Sequence, residues 1–289
     1  MLKKPNIYYF ILGSVFTAAA ALFVAYLFII PGRGNDSFAQ SDDSDYPQGY
    51  KIISPDFPAD MSFAGEPVPM DNFEVYERAD REFLTNTYWH SFTLLCIKRA
   101  NRWFPVIEPI LKKNGIPDDF KYVALIESGL ANAVSPAGAT GFWQFMEGTA
   151  LEYGLEVNEE VDERYDVEKS TEAACRYLWN AHNKFGNWTL AAASYNMGIP
   201  GVEKQLSRQR TSNYYNLVLS EETSRYLFRV LALKEIVTTP SKYGFYIDVD
   251  KLYPPLRTVN VEVSSAIPDL AAFSSRFIHF HCHYDMDIP

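Results

Sequence analysis

Apolar residues in this chain recur mostly at helical spacing, broken by one unbroken apolar run and one polar stretch. From Ile7 to Ile30 no charged residue occurs. As a helix the run would extend about 36 Å, enough to cross a hydrocarbon core of roughly 30 Å with some tilt. Residues 31–69 read as a linker. Their centre, Gly32 to Ser37 and Ser41 to Asp45, is polar, acidic and poor in large apolar side chains, a composition that buries too little surface to order itself. Amphipathic periodicity begins at Asp71. The stretch to about Asn114 carries Phe73, Val75, Phe83, Leu84, Leu94, Leu95, Ile97 and Trp103, with an interruption expected near Trp103-Phe104-Pro105. Pro117-Asp118-Asp119 is a helix-start signature. Ser170 precedes a run with Ala174, Tyr177, Leu178, Ala181 and Phe185 at helical spacing. Asn187 can cap a helix from Trp188 to Met197, with Gly198 as its stop. A further helix is expected from about Glu221 to Val237, ended by Thr238-Thr239-Pro240. Strand-like alternation appears only late, at Tyr246 to Val249 and Val259 to Val263.

These patterns predict an all-α body of lysozyme-like size, with an N-terminal transmembrane helix and a short irregular or β C-terminal tail. The expected divisions are a membrane anchor at 1–30, an acidic flexible linker at 31–69, an N-terminal helical subdomain at 70–114, a catalytic domain at 115–240 and a C-terminal extension at 241–289. Lys3 and Lys4 precede the apolar run and only Arg33 follows closely, which leaves the N-terminus in the cytoplasm and the body outside. A cleaved signal peptide is the competing reading, but its apolar region would be about 7–15 residues long, shorter than this one.

Composition narrows the function. With 289 residues, 47% hydrophobic and 15% aromatic, the chain holds a sizeable core. A formal net charge of −10 argues against a nucleic-acid partner. Cys96 and Cys175 fall in apolar helical patterns and read as small core residues, although a disulfide involving two of the three cysteines stays open. His279, His281 and His283 alternate around Cys282, but no matching ligand cluster accompanies them, so no metal or cofactor is expected.

The candidate chemistry centres on Glu127. Counting back at helical spacing meets Ala124, Val123 and Phe120, all apolar. The carboxyl therefore lies on a buried stripe, in a last turn facing the negative end of the helix dipole. Both effects disfavour ionisation and suit a general acid. Downstream lie the small-residue loop Ser135-Pro136-Ala137-Gly138-Ala139-Thr140-Gly141, then Phe142-Trp143-Gln144, then Ala192-Ala193-Ser194-Tyr195-Asn196. Trp143 and Phe145 read as core. Glu147, Glu152 and Glu156 read as solvated, so no second acid shares a comparably apolar setting.

Glu127-Ser128, Gly141-Phe142-Trp143-Gln144 and Tyr195-Asn196 resemble the three signature motifs of lytic transglycosylases with a goose-lysozyme-like fold. More narrowly, Tyr88-Trp89-His90-Ser91 and Asp162-Glu163-Arg164-Tyr165-Asp166 resemble the membrane-bound lytic murein transglycosylase D group. The likeness covers residues 63–273 and is strongest over 115–200. It departs in the loop after Glu127, where Ala131-Asn132-Ala133-Val134 replaces a more usual Asn-Pro start, and in the tail from Arg276. The resemblance implies a lyase that cleaves the β-1,4 bond between N-acetylmuramic acid and N-acetylglucosamine in peptidoglycan glycan strands, leaving 1,6-anhydro ends. It further implies a bacterial inner-membrane protein, single-pass, with its catalytic domain facing the periplasm. By motif, Glu127 would be catalytic. Ser135, Gln144, Tyr195, Asn196 and Glu222 would bind substrate, Tyr195 holding the sugar or Glu127 and Asn196 buttressing its turn. A goose-type lysozyme-like hydrolase and a catalytically silent wall-binding scaffold are the alternatives.

Overall fold

The computed structural model describes residues 52–256. Asn72 supplies the first helix start: its Oδ1 accepts from the Glu74 and Val75 amides at 2.9 and 3.4 Å, satisfying donors that a helix N-terminus otherwise leaves orphaned. Eight α-helices follow among the described residues. They are α1 (Phe73–Tyr88), α2 (His90–Lys113), α3 (Lys121–Ser128), α4 (Glu147–Glu152), α5 (Val167–Phe185), α6 (Trp188–Met197), α7 (Ile199–Gln209) and α8 (Glu221–Thr238). The mainly helical expectation holds for this region. Asn187 caps α6 through its Oδ1, 2.8 Å from the Leu190 amide, and Gly198 ends it at φ +77°.

The core forms around α6. Leu190, Ala191, Ala192, Ala193 and Ser194 are all buried, so this helix is enclosed on every side, as a helix without a polar face must be. Its alanines let α5, α7 and α8 come close. α8 in turn packs along α1 and also meets α3. This arrangement brings the end of α3, the end of α6 and the start of α8 toward one region.

Four expectations need correction. The helix expected to break at Pro105 runs unbroken through Pro105 and Pro109. Trp103, Phe104, Ile107 and Leu111 are buried along it, and that packing outweighs the hydrogen bonds the prolines remove. The break falls instead at Trp89, with ψ +61°, where its ring stacks on Phe92 at 4.3 Å. Second, α5 begins before Ser170: Asp166 is its cap, accepting from the Glu168 and Lys169 amides.

Third, the linker ends earlier than expected. Strands β1 (Ser62–Phe63) and β2 (Glu66–Pro67) form a small antiparallel hairpin. Phe63 is fully buried, edge-on to Phe120 at 5.1 Å. The Glu66 carboxylate accepts from the Trp188 and Thr189 amides at 2.6 and 2.9 Å, on the N-terminus of α6. Segment 70–114 shares one continuous core with the helices after it. Fourth, residues 246–248 form no strand; a 3-10 turn follows at Val249–Lys251. Tyr246 and Val249 are 82% and 84% exposed, and two apolar residues without a partner strand cannot hold a ladder.

Among the described residues no helix is long and apolar enough to cross a membrane. The Ile7–Ile30 run, the centre of the linker, the 259–263 strand and the histidine tail with Cys282 lie outside them.

Candidate active site

The acid sits where its sequence environment predicts. A 3-10 turn at Asp118–Phe120 leads into α3, which Gly129 terminates at φ +62°. Phe120, Val123 and Ala124 are fully buried. Glu127 itself is half-buried, retaining some solvent contact among dense neighbours. Its pKa is pushed up from 4.5 to about 7. Desolvation is the largest cause, and the charge of Glu222 adds to it, against lowering by a Tyr226 hydrogen bond and by Arg229. The Tyr226 hydroxyl donates to Glu127 Oε1 at 2.5 Å. Burial, then the Glu127 charge, hold that phenol well above its usual range, so it remains a donor.

A tight loop follows α3. Ser128 Oγ donates to the Phe142 carbonyl at 2.8 Å, tying the acid's helix to the aromatic motif. Gly141 has φ +80°, and a Cβ there would stand 1.8 Å from the Arg164 carbonyl oxygen, so both conformation and space demand glycine. Gln144 adopts φ +50°, a costly conformation for a residue with a Cβ. Its side-chain amide donates to the Ala133 and Gly141 carbonyls at 2.9 and 2.8 Å. Beneath the loop, Arg164 is paired with both Asp162 oxygens at 2.9 and 2.7 Å and donates to the Gly138 and Phe145 carbonyls. Such a forked pair fixes orientation as well as charge. Trp143 and Phe145 are core residues, as expected, with the Trp143 indole donating to Thr171.

Gln144, Tyr195 and Asn196 line one cavity of about 440 Å³, together with Tyr153, Tyr177 and Asn180. Tyr195 donates to the Trp143 carbonyl at 2.9 Å rather than to Glu127, although the Glu127 charge lies near enough to raise its pKa. Asn196 has no side-chain hydrogen bond among the described residues. Its turn is closed instead by the Gly198 amide on the Ser194 carbonyl. Ser135 is not among the residues that line this cavity. Its Oγ accepts from the Ala139 amide at 2.9 Å and braces its own loop. Glu222 is exposed in the first turn of α8, one turn before Tyr226.

Tyr226 and Arg229 are the residues that sequence reading missed. Tyr226 is four positions after Glu222, hence on the same helix face. Nothing local marks that this face meets α3, 99 residues away. Another cavity, about 720 Å³, lies apart from all these residues, between α2 and segment 237–252. Among the described residues no three His, Cys, Asp or Glu side chains converge as a metal site would.

Residues 104–218 match the transglycosylase SLT domain model. The chain is 31% identical over 192 residues to membrane-bound lytic murein transglycosylase D of Escherichia coli strain K12, covering 63% of this chain and 42% of that protein. The protein of the same name from Escherichia coli O6:H1 matches to the same extent. The chain thus spans less than half the length of these relatives. The matched segment contains Glu127, Ser135, Gln144, Tyr195 and Asn196, so these residues fall in the part of the chain that is similar to the transglycosylase SLT domain.

Proposed function

We propose that this chain is a peptidoglycan lytic transglycosylase with a lysozyme-like catalytic body over about 115–240. In this reading Ile7–Ile30 anchors it in a bacterial inner membrane and the body faces the periplasm. The observation that carries the reading is a half-buried carboxyl, Glu127, whose pKa burial raises to about 7 and which accepts a hydrogen bond from the Tyr226 phenol. Ordinary glycosidases pair one acid with a second carboxylate as nucleophile or base. One acid suffices when the muramic acid's own 6-hydroxyl attacks the anomeric carbon. Glu127 protonates the leaving glycosidic oxygen as the C–O bond breaks. The resulting carboxylate then accepts the 6-hydroxyl proton as the new C–O bond forms, so no water is consumed.

The remaining roles follow the donor and acceptor inventory. With its amide hydrogens engaged by backbone carbonyls, Gln144 offers its oxygen to a sugar hydroxyl or N–H. Tyr195 shapes the cavity wall, and Asn196 supplies an unengaged amide for the acetamido groups. Ser135 orders the loop that borders the sugar, and Glu222 contacts substrate at the mouth. Glu222 also favours the hydrolytic alternative, because a carboxylate near the acid could orient water.

Glu127→Gln tests the role of the acid. Wall-solubilising activity should fall by roughly 10²–10⁴. A folded-state pKa raised above the unfolded value means that the folded protein binds more protons between about pH 4.5 and pH 7, so stability falls as pH rises through that window. The variant should therefore be no less stable than the parent at pH 8, since its amide oxygen still accepts from Tyr226. Retained activity, or a large loss of melting temperature at pH 8, would contradict a catalytic role.

A further inference from the structure

Glu82, on α1, carries a carboxyl that is completely buried. Its Oε1 accepts from Arg225 Nε at 2.5 Å, and its Oε2 lies 3.7 Å from Arg229 Nε. That Oε2 has no hydrogen bond among the described residues, so Arg229 is held by charge and not by close geometry. Arg225 has a second acidic neighbour, Glu221 at 3.5 Å, which Arg81 also engages. Arg229 has one ion pair among the described residues, to Glu82. It stands three positions after Tyr226, on the same face of α8, and Tyr226 touches Glu127.

We propose that Glu82 is a positioning residue: by holding the Arg229 guanidinium on the α1 side of α8, it keeps that cation from pairing with Glu127. The proposal rests on Glu127 being the acid. A guanidinium without its buried partner seeks the nearest carboxylate, because charge-assisted forked bonds are the strong ones. An opposite charge within about 4–6 Å lowers a carboxyl pKa by roughly 1–3 units, which would cancel what burial achieves. The groups facing Glu127 are Glu222, Tyr226 and Arg229 from α8 and Tyr195 from α6, with Tyr177 of α5 behind Tyr195. Those facing Glu82 are Arg225 and Arg229. Arg229 belongs to both sets.

The test is carbon-13 NMR titration of the Glu127 carboxyl in the full chain in detergent, alongside the pH profile of wall cleavage. Glu82→Gln should lower the Glu127 midpoint by about one pH unit, and the alkaline limb of the profile should move down with it. Adding Arg229→Gln should abolish that fall. An unchanged midpoint in Glu82→Gln, or a fall that persists in the double variant, would overturn the proposal. If Glu82→Gln does not fold, Glu82→Asp draws the charge back from Arg229 by one methylene. It should shift the midpoint in the same direction, and an unmoved midpoint again overturns the proposal. Absence of wall cleavage in the parent chain would count against the enzymatic reading alone, because the midpoint comparison decides the role of Glu82 without it.

Discussion

At the scale of single residues, the acid was legible because its signal is local. Phe120, Val123 and Ala124 precede Glu127 at helical spacing, and the same positions are buried in the fold. Its partner was not legible, since Tyr226 reaches Glu127 through packing of α8 against α3 and no spacing rule spans that distance. The same limit explains Tyr195: its place near the site was expected, whereas its hydrogen bond to the Trp143 carbonyl depends on how the loop is folded. Tyr226→Phe tests the missed contact. Removing a donor that lowers the Glu127 pKa should raise that pKa further, moving the alkaline limb of the activity profile upward. If Glu127 is the proposed acid, losing this hydrogen bond should also cost about tenfold in kcat. A profile that stays in place would show that the phenol does not act on the acid.

At the scale of elements, caps and stops read well and irregular loops did not. Asn187 and Gly198 bracket α6 as expected, because capping is decided within a few residues. The loop from Ser135 to Phe145 read only as small residues. Its shape comes from Arg164, which bonds two of its carbonyls and whose own carbonyl presses against Gly141. This explains why the Asp162–Asp166 stretch accompanies the signature motifs: one end clamps the loop and Asp166 starts α5. Gly138 provides the control, since it also has positive φ, +87°, but nothing lies within 4 Å of a Cβ placed there. Gly138→Ala should cost about 1–2 kcal/mol from backbone conformation alone. Gly141→Ala must also displace the Arg164 carbonyl and should cost clearly more in urea unfolding. Equal costs would mean that the clamp is not tight.

At the scale of the whole molecule, the helical class followed from periodicity, but the edge of the folded body did not. The acidic composition of residues 32–45 gives the stretch up to Pro69 a linker-like average, and a two-strand hairpin is too short for alternation to register. Yet Phe63 is buried on Phe120, just ahead of the helix that bears the acid, and Glu66 holds the start of the central α6. Phe63→Ala should therefore destabilise the protein by about 3–5 kcal/mol, whereas a tether residue would tolerate it without effect. Chemical denaturation of the two proteins decides between these outcomes.

The claim to which these scales converge is that one carboxyl moves one proton within a single saccharide, so that water takes no part. Digesting purified peptidoglycan in water enriched in heavy oxygen tests this most directly. Mass spectrometry should find muramic acid ends one water lighter than hydrolysed ends and free of the label; labelled reducing ends would contradict the account.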